Sequence, residues 1–146
     1  MLFVYGTLQD ADVLAAVLGR AVEGTSLRRA TAPGCRAVAY PGRVYPGLVA
    51  SPGDAAPGHV IHGLLPLDLA ALDAFEGDEY RRGTIEVMLD GHAAPAQTYW
   101  PTITISALAP VWSLSDWTVQ HKPSVITAEV ATAEALRRRL FAGRSD

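Results

Sequence analysis

The sequence predicts an α+β fold, and three observations carry that prediction. Strand-like apolar runs are plentiful, but they do not alternate regularly with helical patterns as a doubly wound sheet would require. Between Ala21 and Ala50 the pairs Pro33-Gly34, Pro41-Gly42 and Pro46-Gly47 punctuate the chain like turns between strands. Hydrophobic residues make up 49% of the 146 residues and charged residues 18%, enough for a core without disulfide or metal staples. That balance excludes intrinsic disorder, and the length suits a single domain over residues 1–146.

Taken in order, Met1 to Tyr5 reads as a short buried strand that opens the fold with no leader before it. Gly6-Thr7 breaks it, and Asp10 or Asp12 can cap a helix from Ala11 to Leu18. Val13, Leu14, Val17 and Leu18 give that helix an apolar stripe, and Gly19 suits its end. Ser51 to Gly58, rich in Pro, Gly and Ala, reads as a surface loop. His59 to Leu65 follows as a strand. Asp68 is placed as the cap of a short helix through Leu69, Leu72 and Phe75 that ends at Gly77. Thr84 to Leu89 and Ala96 to Trp100 are strands on either side of the turn Asp90-Gly91. Ser113-Leu114-Ser115-Asp116-Trp117 has the form of a helix start. Thr127 to Phe141 is a terminal helix with Val130, Ala133, Leu136 and Leu140 at helical spacing.

Composition removes several classes of function. Twelve Lys and Arg against 15 Asp and Glu argue against a broad nucleic-acid-binding face. The one basic run, Arg137-Arg138-Arg139, suits a solvated helix end. No apolar run reaches the ~18 residues of a membrane span. The first basic residue is Arg20, with Asp10 and Asp12 before it, unlike a secretory signal. The expected location is the cytoplasm. Cys35, the only cysteine, can form neither an intramolecular disulfide nor a Cys-based zinc cluster. It reads as a small buried apolar residue. His59 and His62 would point to opposite faces of a strand, and His92 and His121 lack near partners, so no metal site is expected.

Walker loops, nucleophile elbows and dinucleotide fingerprints are missing, which leaves two segments. Tyr5-Gly6-Thr7-Leu8 runs from a strand through Gly into a helix. Such a turn can aim unpaired N–H groups at a carboxylate or phosphate, although a plain strand–helix turn has the same sequence form. In Leu72-Asp73-Ala74-Phe75-Glu76-Gly77-Asp78-Glu79-Tyr80-Arg81-Arg82, Leu69, Leu72 and Glu76 share one helix face. Glu76 therefore stands on the stripe the helix should bury, and in the last turn, where the macrodipole opposes a carboxylate. Both effects raise its pKa. Such a group is either paired to Arg81 or Arg82 or kept for proton transfer.

These two segments together resemble the γ-glutamyl cyclotransferase-like superfamily, in particular its small γ-glutamylamine cyclotransferase-like branch. The opening strand followed by Tyr5, Gly6, Thr7 and Leu8, and the later Leu72, Asp73, Phe75, Glu76 and Gly77, match its two motifs in order and separation. Tyr80-Arg81-Arg82, Tyr45-Pro46 and Tyr99 fit as well. The resemblance covers roughly the first hundred residues, and Pro101 to Pro123 departs from it.

The resemblance implies a small mixed β-barrel with flanking helices and one cavity at its mouth. It also implies an enzyme that closes a γ-glutamyl group to 5-oxoproline and expels an amine or amino acid. Glu76 would be the general acid/base and Tyr5 to Leu8 would hold the substrate's α-carboxylate. Tyr80 and Tyr99 would line the pocket or position Glu76. No cofactor is needed, and the partner is a small γ-glutamyl molecule rather than nucleic acid or membrane. The leaving group and the oligomeric state are not legible. The competing readings are a ligand-binding domain on the same barrel that lacks turnover, and a hydrolase in which Glu76 activates water.

Overall fold

The computed structural model describes residues 1–23 and 26–142. Five strands form a barrel in the order β1-β3-β2-β4-β5: β1 (Leu2–Val4), β2 (Leu27–Ala39), β3 (Pro46–Ile61), β4 (Tyr80–Leu89) and β5 (His92–Pro101). Four α-helices flank it: α1 (Ala11–Leu18), α2 (Pro66–Glu76), α3 (Leu114–Gln120) and α4 (Lys122–Ala142). The expected α+β fold and mixed barrel are what the chain adopts.

Two antiparallel hairpins make most of the barrel. Strands β4 and β5 pair from Tyr80–Pro101 to Leu89–His92 around Asp90-Gly91, both of which have positive φ (53° and 79°). That is the backbone a tight two-residue hairpin with the native strand twist demands, and Asp-Gly supplies it. Strands β2 and β3 pair from Leu27–Ile61 to Ala39–Pro46. Here the expected loop Ser51 to Gly58 is corrected. Cys35 pairs with Ala50 and Pro33 with Ala55, so residues 51–54 bulge opposite Gly34, and the strand then resumes. Gly34 and Gly53 take positive φ at the bulge, and the Ser51 hydroxyl donates to Asp54 at 2.5 Å. The Pro and Gly residues mark a bulge in a long strand rather than its end.

The third seam is thinner. β1 lies antiparallel to β3 and meets β5 in parallel at Leu2–Gln97. Side chains reinforce this parallel contact. The fully buried Thr98 donates to the Phe3 carbonyl at 2.8 Å, and the Tyr5 hydroxyl donates to the Tyr99 carbonyl at 2.6 Å. Alternation along β1 sends Phe3 and Tyr5 into one core and Leu2 and Val4 into another. The first core is narrow and filled by Ala30, Ala32, Ala37, Ala56, Leu48, Val60 and Val87. The second packs Val13, Leu14, Val17, Leu72, Trp117 and Ala133 of the helices against β1 and Ile61. Close approach of backbones requires Gly58, where a Cβ would stand 2.5 Å from the Val4 carbonyl oxygen and 2.7 Å from the Phe3 ring.

The helices mostly begin and end where their caps predict. The Asp10 carboxylate accepts from the N–H groups of Asp12 and Val13, and Gly19 closes α1 in the left-handed region. Asp68 is not the cap of α2, because Pro66 already occupies the first turn. From the third helical position its carboxylate accepts from the Leu65 N–H at 2.9 Å and from Arg20 at 2.5 and 2.8 Å. The bonds from Arg20 hold its pKa below the ordinary carboxylate range. The strand expected over His59 to Leu65 ends at Ile61, with Gly63 at φ 76° before the helix. Helix α4 starts at Lys122 rather than Thr127.

The segment after Pro101 that broke the resemblance packs on the barrel. Trp112 donates from its indole to the Val44 carbonyl at 2.8 Å, Val38 bridges Val111, and Ile105 joins Val38 and Tyr40 in a small core. No described helix is long and apolar enough to cross a membrane.

Candidate active site

A cavity of about 250 Å³ opens between the barrel's mouth and helices α2 and α4. All seven residues singled out from the sequence line it: Tyr5, Gly6, Thr7, Leu8, Glu76, Tyr80 and Tyr99. They arrive from four places, the end of β1, the end of α2, the start of β4 and the end of β5.

The β1 exit supplies donors. After Val4 the chain makes a 3₁₀ turn over Thr7–Gln9, with Gln9 N–H bonded to the Gly6 carbonyl and Asp10 N–H to that of Thr7. Among the described residues the N–H groups of Gly6, Thr7 and Leu8 donate to no protein acceptor. Gly6 has φ −121°, outside the left-handed region. Contact favours glycine here, since a Cβ would lie 3.0 Å from Pro46 Cγ.

Glu76 ends α2 and stands half-buried in the cavity wall. Burial pushes its pKa up to about 8, and the neighbouring Glu79, Glu129 and Asp73 carboxylates add to the rise. The pairing with Arg81 or Arg82 that the sequence left open is not made. Arg82 instead bonds both Asp73 oxygens, at 2.9 and 3.1 Å, and no described donor reaches the Glu76 carboxylate. A carboxyl group raised in this way can both accept and release a proton near neutral pH.

The tyrosines frame the wall. Tyr80 donates to the Pro46 carbonyl at 2.5 Å and Tyr99 to Asp73 at 2.7 Å, so neither bonds Glu76 directly. Burial raises the pKa of both well beyond neutrality, so each stays a neutral donor. Rings of Tyr40, Tyr45 and Tyr80 cluster with centroids 5.6 to 6.3 Å apart. The Tyr45 hydroxyl donates to Glu79 at 2.5 Å, and burial followed by that carboxylate pushes its pKa up to about 12. Arg43 pairs with the same Glu79 at 3.3 Å.

Sequence reasoning missed two acids of this cavity. Glu79 sits in the 3₁₀ turn Gly77–Glu79, where nothing in the pattern distinguishes it from Asp78. Glu129 is detectable in principle, being four residues before Ala133 and so on the stripe assigned to the core of α4. Elsewhere, Cys35 is buried and its thiol pKa is raised by that burial, which leaves it an inert thiol. The His59 ring lies 2.7 Å from Gln9 Oε1, and among the described residues no group of His, Cys, Asp and Glu could hold a metal ion.

A family model described as gamma-glutamyl cyclotransferase, AIG2-like, matches residues 2–119, which extends past the first hundred residues into α3. Among curated proteins, AIG2-like protein A of Arabidopsis thaliana is 31% identical over 147 residues, covering 99% of this chain and 87% of that protein. A solution structure from Arabidopsis thaliana superposes with a TM-score of 0.65 at 32% identity, covering 87% of this chain and 85% of the other. A solved structure titled gamma-glutamyl cyclotransferase shares the fold at 16% identity, with a TM-score of 0.52 over 69% of this chain and 65% of the other.

Proposed function

This chain belongs to the gamma-glutamyl cyclotransferase, AIG2-like family, and on that premise we propose that it cyclises the γ-glutamyl group of a small substrate to 5-oxoproline, releasing an amine or amino acid. The observation that carries this reading is a carboxyl group, Glu76, whose pKa is raised to about 8 and which lines one small cavity together with residues whose peptide N–H groups have no described acceptor.

In this reading the substrate's α-carboxylate sits on the N–H groups of Gly6, Thr7 and Leu8. Charge-assisted bonds of this kind contribute roughly 1.5–3 kcal/mol each. The α-ammonium passes a proton to the Glu76 carboxylate and becomes a nucleophile. Its nitrogen bonds to the γ-carbon, the carbonyl electrons move onto oxygen, and the nitrogen, cationic again, gives its second proton to water. When they return, the bond to the leaving nitrogen breaks, and Glu76 gives its proton to that nitrogen. Nucleophile and electrophile belong to one molecule, so the site has only to fold the chain and shuttle a proton from the attacking to the leaving nitrogen. The tyrosines hold the wall: Tyr99 through Asp73 on α2, Tyr80 through Pro46 beside Gly6. No step calls for a cofactor.

Incubation with a panel of γ-glutamyl amines and amino acids, followed by mass detection, tests the proposal. 5-Oxoproline is the expected product. Glutamate in its place means that Glu76 activates water, and no product from any member removes the enzymatic reading. Turnover is expected to survive both EDTA and Cys35→Ser, since the only thiol is buried away from the cavity. Loss in EDTA that zinc restores would require a different mechanism.

Recognition of the carboxylate is tested separately by calorimetry with 5-oxoproline and its neutral amide. The acid is expected to bind at least about tenfold more tightly, equal to about 1.4 kcal/mol. Gly6→Val, whose side chain meets Pro46, should lose most of the acid's advantage. Equal affinities for acid and amide in the native chain would show that the turn reads no carboxylate.

A further inference from the structure

We propose that Glu129, on helix α4, is the seat of the substrate's α-ammonium group. The inference rests on the cyclotransferase reading and adds to it a binding residue from outside the residues 2–119 that the family model matches.

Among the described residues three carboxylates line the cavity, Glu76, Glu79 and Glu129, and no Lys or Arg does. Two of them already have an occupation. Glu79 accepts from Tyr45 and pairs with Arg43. Glu76, at the end of α2, is the general acid/base of that reading. Glu129 is the exception, because it lines the cavity while its Oε2 is buried with no hydrogen-bond partner among the described residues. An unmatched buried carboxylate oxygen forfeits the solvation it had in water and normally finds a donor.

The lysine of the same helix is already engaged. Lys122, two turns earlier, bonds Asp10 and Asp12, each at 2.8 Å. Burial raises the pKa of Glu129, and the Asp10 carboxylate raises it further. Asp10 stands two residues beyond Leu8, so α4 lies against the turn that carries the free N–H groups. The α-carbon of a γ-glutamyl group bears a carboxylate and an ammonium side by side. Its two ionic groups therefore need two adjoining seats of opposite sign. The Gly6–Leu8 turn and Glu129, which line one cavity, have that arrangement. Glu76, coupled to Glu129 through space, is then placed to take the proton from the same nitrogen.

Two probes isolate the ammonium: L-glutamine, a γ-glutamyl amide, and glutaramate, the same molecule without its amino group. Binding is titrated in the Glu76→Gln background so that turnover does not intervene. L-Glutamine is expected to bind at least tenfold more tightly than glutaramate. Adding Glu129→Gln should abolish this preference while leaving glutaramate's affinity unchanged, whereas Glu129→Asp should keep part of it. Glu79→Gln, which removes an acid already paired, should preserve it. In the chain with Glu76 intact, Glu129→Gln should raise KM more than it lowers kcat, and shift the rise of kcat/KM to lower pH, because a charge near Glu76 is gone.

A preference that survives Glu129→Gln, or its absence with Glu129 present, overturns the inference. The fate of the parent reading is read independently by 5-oxoproline formation. Product formation with the preference intact in Glu129→Gln sinks the ammonium seat alone. Loss of the preference without any product keeps the seat and discards the reaction.

Discussion

Glu76→Gln is expected to lose about 10²–10⁴ in kcat, the usual cost of removing a general acid–base, and yet to melt higher than the native chain at pH 8. The two effects share one cause. Burial and three neighbouring carboxylates hold the folded-state pKa of Glu76 near 8, against 4.5 when unperturbed. Below about pH 4.5 the acid is protonated whether folded or unfolded, and it contributes nothing. Between pH 4.5 and 8 the folded chain retains a proton that the unfolded chain has released, so stability falls as pH rises. Above 8 the loss is complete and constant. Gln carries no proton to lose, so its advantage should grow across that window and then level off. A tenfold difference in proton affinity between folded and unfolded chain is worth about 1.4 kcal/mol, so thermal melts between about pH 4 and 9 resolve the trend easily. In the native chain kcat/KM should rise towards pH 8 as the carboxylate form appears. Full turnover by a well-folded Gln variant, or a melting gain that ignores pH, would remove Glu76 from its assigned role.

Gly58→Val should cause a large loss of stability although it adds no charge and removes no hydrogen bond. Its Cβ would stand 2.5 Å from the Val4 carbonyl oxygen and 2.7 Å from the Phe3 ring. Neither neighbour can retreat, since Val4 is held in register with His59 and Phe3 fills the barrel interior. Overpacking of this kind costs about 1–3 kcal/mol, and the upper end or beyond is expected where backbone is the obstacle. Ala55→Val, exposed on the same strand, serves as the control and should stay within about 0.5 kcal/mol. Urea midpoints at constant m decide the matter, and a midpoint for Gly58→Val equal to that of the control would contradict the contact. Residual folded protein should also bind 5-oxoproline weakly, because displacing β1 displaces the turn that follows it.

Much of this architecture is legible in local chemistry. Asp10 and Gly19 delimit α1, Asp90-Gly91 closes a hairpin and Ser113 caps α3, because caps and turns need particular side chains at particular positions. Glu76 is conspicuous since a carboxylate on an apolar stripe conflicts with its surroundings. Two kinds of feature stay hidden. The bulge at residues 51–54 uses the same Pro, Gly and Ser residues that loops use, and only pairing with β2 shows that the strand continues. The fates of Arg82, Tyr99 and Tyr80 depend on partners 9 to 34 residues away in sequence, beyond the reach of any local pattern. Glu129 falls between these cases. Its place on the stripe through Ala133 is visible in the sequence, but the cavity it shares with Glu76 is not.

The thin parallel seam has a kinetic consequence. The β2/β3 and β4/β5 hairpins join neighbouring stretches of chain, whereas β1 must find Ile61 on one side and Gln97 on the other. Closing loops of that length costs entropy that local hairpins avoid, so β1 docks late. The turn proposed to hold the substrate's carboxylate is its direct continuation. Folding intermediates with both hairpins formed therefore lack a binding pocket, and a nascent chain gains one only after its first strand is captured by its fifth. The amides of β1 should accordingly be among the first in the barrel to exchange with deuterium, and a bound 5-oxoproline should slow that exchange more than exchange at the Asp90-Gly91 turn.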